Sequence, residues 1–228
     1  FQQACCKTPH PNQFDPTIIT PALNTIPGVF MQSGALNTNR IAIRGIGSRS
    51  PFSTNKIRAY FGEIPLTNGT GETTIEDLDL TQLGRLEVVK GPSSSTYGSG
   101  LGGAILLQPN RPANSSVGLT STIGSFGLAK NDIDVDFQTE KSATSVFYSK
   151  LYSGGISDFY EGNRDAVALF SNLYTKKAEH NFIAYYLKQK AFIPSSLNEE
   201  TFDNSPTDAA FTWGQSQGNE EYRRVLLG

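Results

Sequence analysis

Between Asp132 and Gln138 the chain alternates without a break. Ile133, Val135 and Phe137 stand between Asp132, Asp134, Asp136 and Gln138. Only an extended strand sorts such a run, because successive side chains on a strand point to opposite faces. The result is one apolar face and one acidic face. In a soluble sandwich the acids would face outer water. In a membrane barrel they would face a wet lumen, with the apolar residues toward lipid. Val117, Leu119, Ser121 and Ile123 repeat the pattern more weakly, as do Ile183, Tyr185 and Leu187 against Phe182, Ala184, Tyr186 and Lys188.

The same grammar runs from residue 113 to the end. Strands are expected over 116–124, 128–138, 143–153, 165–176, 180–192 and from 220 onward. Thr139 to Ala143 and Lys177 to Glu179 are short turns, while Gly154 to Arg164 and Pro194 to Asn219 are long. Short connections on one side and long ones on the other are the asymmetry of outer-membrane barrels. Strands of about nine or more residues suit a tilted crossing. No apolar run approaches the ~18 residues of a membrane helix, which does not bear on a barrel.

Residues 9–112 read differently, as a compact α+β domain. Thr20 is a candidate N-cap for a short helix, with Pro21 in its first turn. Arg40 to Gly45, Lys56 to Phe61, Arg85 to Lys90 and Ala104 to Gln108 read as strands, and Thr73 to Leu83 as a polar loop or short helical turn. Asn110 to Asn114 is the exit linker. The β-branched run ending at Lys90 stops at Gly91-Pro92. A Ser/Gly segment with Tyr97, Gly98, Gly100, Gly102 and Gly103 follows, before a second apolar run from Ala104 to Leu107. Gly98 to Gly103 formally fits a dinucleotide fingerprint, but that motif needs a helix after the glycines. A short apolar run closed by Pro109 and Pro112 follows instead.

These segments resemble the plug domain of TonB-dependent outer-membrane transporters. Leu23 to Val29, with Pro27 and Gly28, is similar to that family's "L-x-x-x-P-G-V". Arg40 to Ser48, with Arg44 and Gly45, is similar to its "I-R-G" segment. Ala59 to Leu66 is similar to "Y-x-D-G-I-P-L", with Gly62-Glu63 in place of the acidic-then-Gly pair. Arg85 to Ile105, with Glu87, Gly91, Pro92, Tyr97, Gly98, Gly102 and Gly103, is similar to its best-known signature. The resemblance implies an α+β plug followed by antiparallel transmembrane β-barrel strands. The family's barrel takes about 22 strands, so six cannot close it. The chain is expected to be the N-terminal part of a larger, non-enzymatic transporter of Gram-negative bacteria.

The resemblance further implies energised import through TonB of a ferric siderophore or other iron chelate. Cobalamin, haem, an oligosaccharide, or a sensing role on the same fold stay open. Arg44 and Lys90 match the basic residues with which the family locks its plug to the barrel. Arg49, Phe52, Asn68 and Thr70 are the candidate ligand contacts. No TonB-binding box is recognisable within Phe1 to Phe14.

Composition agrees. Charged residues make up 18% of the 228, and the net charge of −2 argues against a nucleic-acid binder. With His10 and His180 the only histidines and Cys5-Cys6 the only cysteines, no metal or cofactor spacing is present and no Ser/His/Asp arrangement is found. Iron as cargo should therefore arrive already chelated. Same-face carboxylates on a strand stand about 7 Å apart, too far for one calcium ion to use Asp132, Asp134 and Asp136 together. Arg40, Arg44, Arg49, Lys56 and Arg58 fall in a stretch free of acids from Asp15 to Glu63. Such a patch suits an anionic ligand or carboxylates of a barrel wall, and both uses remain open.

Overall fold

The computed structural model describes residues 2–7, 17–33, 39–50, 54–68, 71–75, 78–92, 94–155, 161–192, 197–208 and 218–228. Two compact units divide at Arg111 and Pro112.

The first unit is built on a five-stranded sheet. In chain order its strands are β1 (Gln2–Lys7), β4 (Ile57–Phe61), β5 (Ile64–Pro65), β6 (Leu83–Lys90) and β7 (Gly103–Pro109). The spatial order is β1-β6-β7-β4-β5, with β4 and β7 parallel and the other pairs antiparallel. A separate ribbon joins β2 (Val29–Ser33) to β3 (Asn39–Ile43). β7 is central and buried from Gly103 to Leu107. That explains its unbroken apolar run, since a strand covered on both faces has no polar side to alternate with. β4 instead alternates, burying Ile57, Ala59 and Phe61.

The expected strands of this unit are present within a residue or two of their bounds, while β1, β2 and β5 went unforeseen. At the β4–β5 turn only the first central residue, Gly62, has a left-handed φ, of 59°. That is the combination of a type II′ hairpin, which takes glycine first. So Gly62-Glu63 makes a tight turn by its own chemistry. Helix α1 (Thr20–Asn24) has Pro21 in its first turn as expected, but Thr20 is not its cap. Ile19 holds the N-cap position and no side chain caps the helix. Burial of Ile19, Ala22 and Leu23 secures this single turn instead. The polar stretch after Thr73 contains a 3-10 turn, Leu80–Gln82, capped by Asp79, whose carboxylate accepts from the Thr81 amide at 3.1 Å. A short helix α2 (Ser94–Tyr97) lies between β6 and β7.

The second unit is a six-stranded antiparallel meander in sequence order. Its strands are β8 (Ser116–Ile123), β9 (Ala129–Gln138), β10 (Ser142–Ser153), β11 (Gly162–Tyr174), β12 (Glu179–Phe192) and β13 (Asn219–Leu227). Connections 139–141 and 175–178 are short, and 154–161 and 193–218 are long. The longest contains an unforeseen helix, α3 (Glu199–Asn204). Asn198 caps it by accepting from the Thr201 amide at 2.7 Å, with Glu199 and Glu200 at the positive end of the helix.

The register carries one face across the whole sheet: Asp132 opposes Ser149, Ser149 opposes Ala166, Ala166 opposes Leu187 and Leu187 opposes Arg224. Lys130, Asp132, Ser149, Arg164, Ala168 and Tyr185 on this face are buried. The other face exposes Val117, Leu119, Ile133, Phe137, Val146, Val167, Leu169 and Phe182. One expectation is corrected. Ile183, Tyr185 and Leu187 do not join Ile133, Val135 and Phe137 on the exposed face. They share the face of Asp132, and Phe182 and Tyr186 point outward. Both faces of β12 are rich in apolar residues, so alternation alone could not decide between them.

Candidate functional site

Parallel pairing of β4 with β7 brings the starts of both strands, Ile57 and Gly103, to one end of the first unit's sheet. The antiparallel strand β6 finishes there at Lys90, opposite Gly103. The segments preceding β4, preceding β7 and following β5 therefore converge on that end. Backbone bonds tie them together. The Gly102 amide donates to the Lys56 carbonyl at 2.8 Å, Gly91 to Gly102 at 3.0 Å and Thr73 to Thr54 at 3.2 Å. The Thr73 hydroxyl donates to the Ile57 carbonyl at 2.9 Å.

Glycines permit this approach. Gly103 has a φ of 129°, and a Cβ on it would stand 2.0 Å from the Val89 carbonyl oxygen. At the ribbon's end, Ile43 and Ile46 exchange both backbone bonds at 3.0 Å. The two residues between them, Arg44 and Gly45, have φ values of 50° and 81°. This is the type I′ geometry, which requires two consecutive left-handed residues. Arg44 is thus held at the tip of a tight turn, with its side chain exposed.

Three separate motifs meet beside it. The Arg44 amide donates to the Gly28 carbonyl at 2.8 Å. The Lys90 ammonium donates to the Pro27 carbonyl at 2.5 Å. Pro27-Gly28, Arg44-Gly45 and Lys90-Gly91 therefore form one structural knot. Glu87 is buried and pairs with Arg85 of the same strand at 2.5 Å.

Arg49 is exposed in the turn that follows, closed by the Ser50 amide donating to the Gly47 carbonyl at 3.0 Å. Asn68 is exposed as well, but its side chain closes its own loop by accepting from the Glu72 amide at 2.8 Å. Phe52 and Thr70 lie outside the described residues. The cations do not form one free cluster: the Arg40 guanidinium donates to the Ser48 carbonyl and that of Arg58 to the Ser99 hydroxyl at 2.8 Å.

A feature of the site not foreseen is the alliance of β4 with the Ser/Gly segment. The Tyr60 hydroxyl donates to the Tyr97 carbonyl at 3.0 Å, and the two rings sit 5.8 Å apart. Alternation in β4 was the available signal, since burying Ile57, Ala59 and Phe61 turns Arg58 and Tyr60 to the other face. Only the fold could show that Tyr97 and Ser99 meet them there.

A mixed plug-like sheet followed by a meander with an exposed apolar face defines a class: a plug domain joined to the strands of a partial barrel. Residues 12–105 match the family model of the TonB-dependent receptor plug domain. Those residues carry the plug-domain match, and the antiparallel strands that follow share the fold of part of a receptor barrel. It is 31% identical over 103 residues to a ferrioxamine receptor of Yersinia enterocolitica, a match covering 44% of this chain and 14% of that receptor. Its fold is similar to the ferric yersiniabactin uptake receptor FyuA of Yersinia pestis, at a TM-score of 0.76 and 15% identity, covering 98% of this chain and 36% of FyuA. It is likewise similar to the pyoverdine outer membrane receptor FpvA of Pseudomonas aeruginosa PAO1, at a TM-score of 0.68 and 18% identity, covering 84% of this chain and 28% of FpvA. The chain thus spans well under half the length of these relatives.

Proposed function

We propose that this chain is part of an outer-membrane transporter that imports a ferric siderophore or other iron chelate, powered through TonB. The observation that carries the reading is the plug fold together with the sequence similarity to a ferrioxamine receptor. The exposed apolar face of β8 to β13 supports a lipid-facing wall. Residues 9–112 would form the plug and 113–228 the first strands of the barrel.

In this reading the loop end of the plug sheet faces incoming ligand. The guanidinium of Arg49 offers planar paired donors to an anionic chelate, with Phe52, Asn68 and Thr70 completing the contact. Arg44 and Lys90 bind carboxylates of the barrel wall. The knot at Pro27-Gly28 holds the Lys90 ammonium and the Arg44 backbone in place before any carboxylate arrives, which lowers the ordering cost of the contact. Ligand binding outside exposes a periplasmic segment to TonB, whose pull remodels the plug and admits cargo.

The test is uptake of radiolabelled iron by cells carrying the complete gene, across a panel of ferric chelates, with and without a protonophore. Accumulation of one chelate that stops when the gradient collapses is the expected result. No gene-dependent uptake of any chelate would refute the iron assignment and turn the search to cobalamin, haem, glycans or a sensing role.

A further inference from the structure

On the exposed face of the second unit, apolar residues give way to polar ones at one register row across β9 to β13, with Tyr152 and Ile123 exposed in the row beyond. Walking each strand toward the long connections, Ile133 gives way to Asn131, Tyr148 to Lys150, Val167 to Asp165, Tyr186 to Lys188 and Val225 to Arg223. These residues are not merely similar in sequence position. Ile133, Tyr148, Val167, Tyr186 and Val225 oppose one another in a single row, and Asn131, Lys150, Asp165, Lys188 and Arg223 oppose one another in the next. Adjacent strands therefore switch together. The last apolar row carries two tyrosines, whose amphipathic rings favour the boundary between hydrocarbon and headgroups.

The charged row is unbalanced. With the row beyond it, the cations Lys150, Lys188, Lys190 and Arg223 outnumber the acids Asp165 and Glu221. A single oxygen, Glu221 Oε1, stands 2.6 Å from Arg223 and 3.6 Å from Lys188. Asp165 stands 3.5 Å from Lys150. All of these side chains are 40% or more exposed, so the pairs hold their cations loosely. Lys188 also lies directly opposite Arg223, and like charges in that relation repel. An anion above the two relieves that repulsion.

We propose that this row seats the phosphate groups of membrane lipids, in the leaflet on the side of the long connections. The proposal rests on the membrane reading above. Charge complementarity selects the occupant: an acidic headgroup meets the excess cations while its acyl chains lie along Val146, Val167, Leu169 and Val225. A water-soluble anion would satisfy the cations but leave that apolar band uncovered.

The test uses the complete receptor in neutral detergent. It is titrated with dioctanoyl phosphatidylglycerol, with dioctanoyl phosphatidylcholine and with inorganic phosphate, and thermal stabilisation is followed to saturation. Phosphatidylglycerol is expected to bind more tightly than the other two. The double variant Lys188→Gln/Arg223→Gln should weaken that binding by about 25-fold, from roughly a fivefold loss per cation. Glu221→Gln should tighten it, a change of opposite sign that no loss of folding would produce. Equal stabilisation by inorganic phosphate, or unchanged affinity in the double variant, overturns the proposal and leaves the membrane reading standing. Recovery of the wild-type receptor from the soluble fraction overturns the membrane reading and this proposal with it.

Discussion

Replacing Gly103 by alanine isolates the close approach on which the loop end of the plug is built. The added Cβ would stand 2.0 Å from the Val89 carbonyl oxygen, on a residue whose φ is 129°. The backbone conformation alone costs an L-residue about 1–3 kcal/mol. The contact cannot be relieved by a side chain, because the obstructing atom belongs to the backbone of β6. The strands must part near the Lys90–Gly103 pair, which weakens about two ladder bonds at roughly 1 kcal/mol each. The sum is about 3–5 kcal/mol, a large fraction of the ~5–15 kcal/mol that stabilises a domain. Gly91 is the internal control. Its φ is 97°, but a Cβ there meets nothing within 4 Å. Gly91→Ala should therefore cost only the backbone part. Hydrogen exchange at Val88, Ile105 and Leu107 reads both variants in the same strands. The difference of about 2 kcal/mol corresponds to exchange roughly 30-fold faster in Gly103→Ala than in Gly91→Ala. Equal exchange in the two variants would show that left-handed strain, and not the strand contact, explains Gly103.

Three other substitutions probe separate parts of the chain. Lys90→Met removes the ammonium from the Pro27 carbonyl, and exchange of the Val29 and Arg44 amides should quicken by a few-fold, for a partly solvated bond of about 1 kcal/mol; unchanged exchange would mean that Lys90 does not hold the knot. Lys130 and Asp132 form an ion pair at 2.8 Å with side chains 0% and 4% exposed, and the Ser149 hydroxyl donates to the same carboxylate at 2.7 Å. Lys130→Met should destabilise the receptor by about 3–5 kcal/mol by stranding that carboxylate, and adding Asp132→Leu should recover most of the loss on thermal unfolding. On the exposed face, Val167→Lys should cost about 2–4 kcal/mol if the face meets lipid, seen as reduced assembly into the membrane fraction; normal assembly would count against a lipid-facing wall.

Periodicity decided the strands of the second unit. Acids alternating with apolar residues in β9 admit one extended arrangement and name its faces, because pleated geometry separates odd from even positions. The same logic found β4, β6 and β7 from apolar runs ended by Gly91-Pro92 and Pro109. The turn at Arg44-Gly45 was not legible: the run through Gly45 reads as strand, but the strand ends at Ile43 and the two left-handed residues follow it. Local pattern had less to say where both faces are apolar, and β12 was assigned its faces only by pairing with β11. β5, of two residues, is too short to establish a period, and no local pattern marked β1 or β2 as strands.

The sequence by itself determined most of the extended segments, since these follow from near-neighbour sterics and a two-residue repeat. Tertiary structure alone decided that Pro27, Arg44 and Lys90 form one knot, that Tyr97 and Ser99 meet Tyr60 and Arg58, and that apolar and charged residues change over along one row of five strands. Each depends on register and on parallel pairing of β4 with β7. Those relations join residues far apart in the chain, and their energies come from contacts that no local window contains.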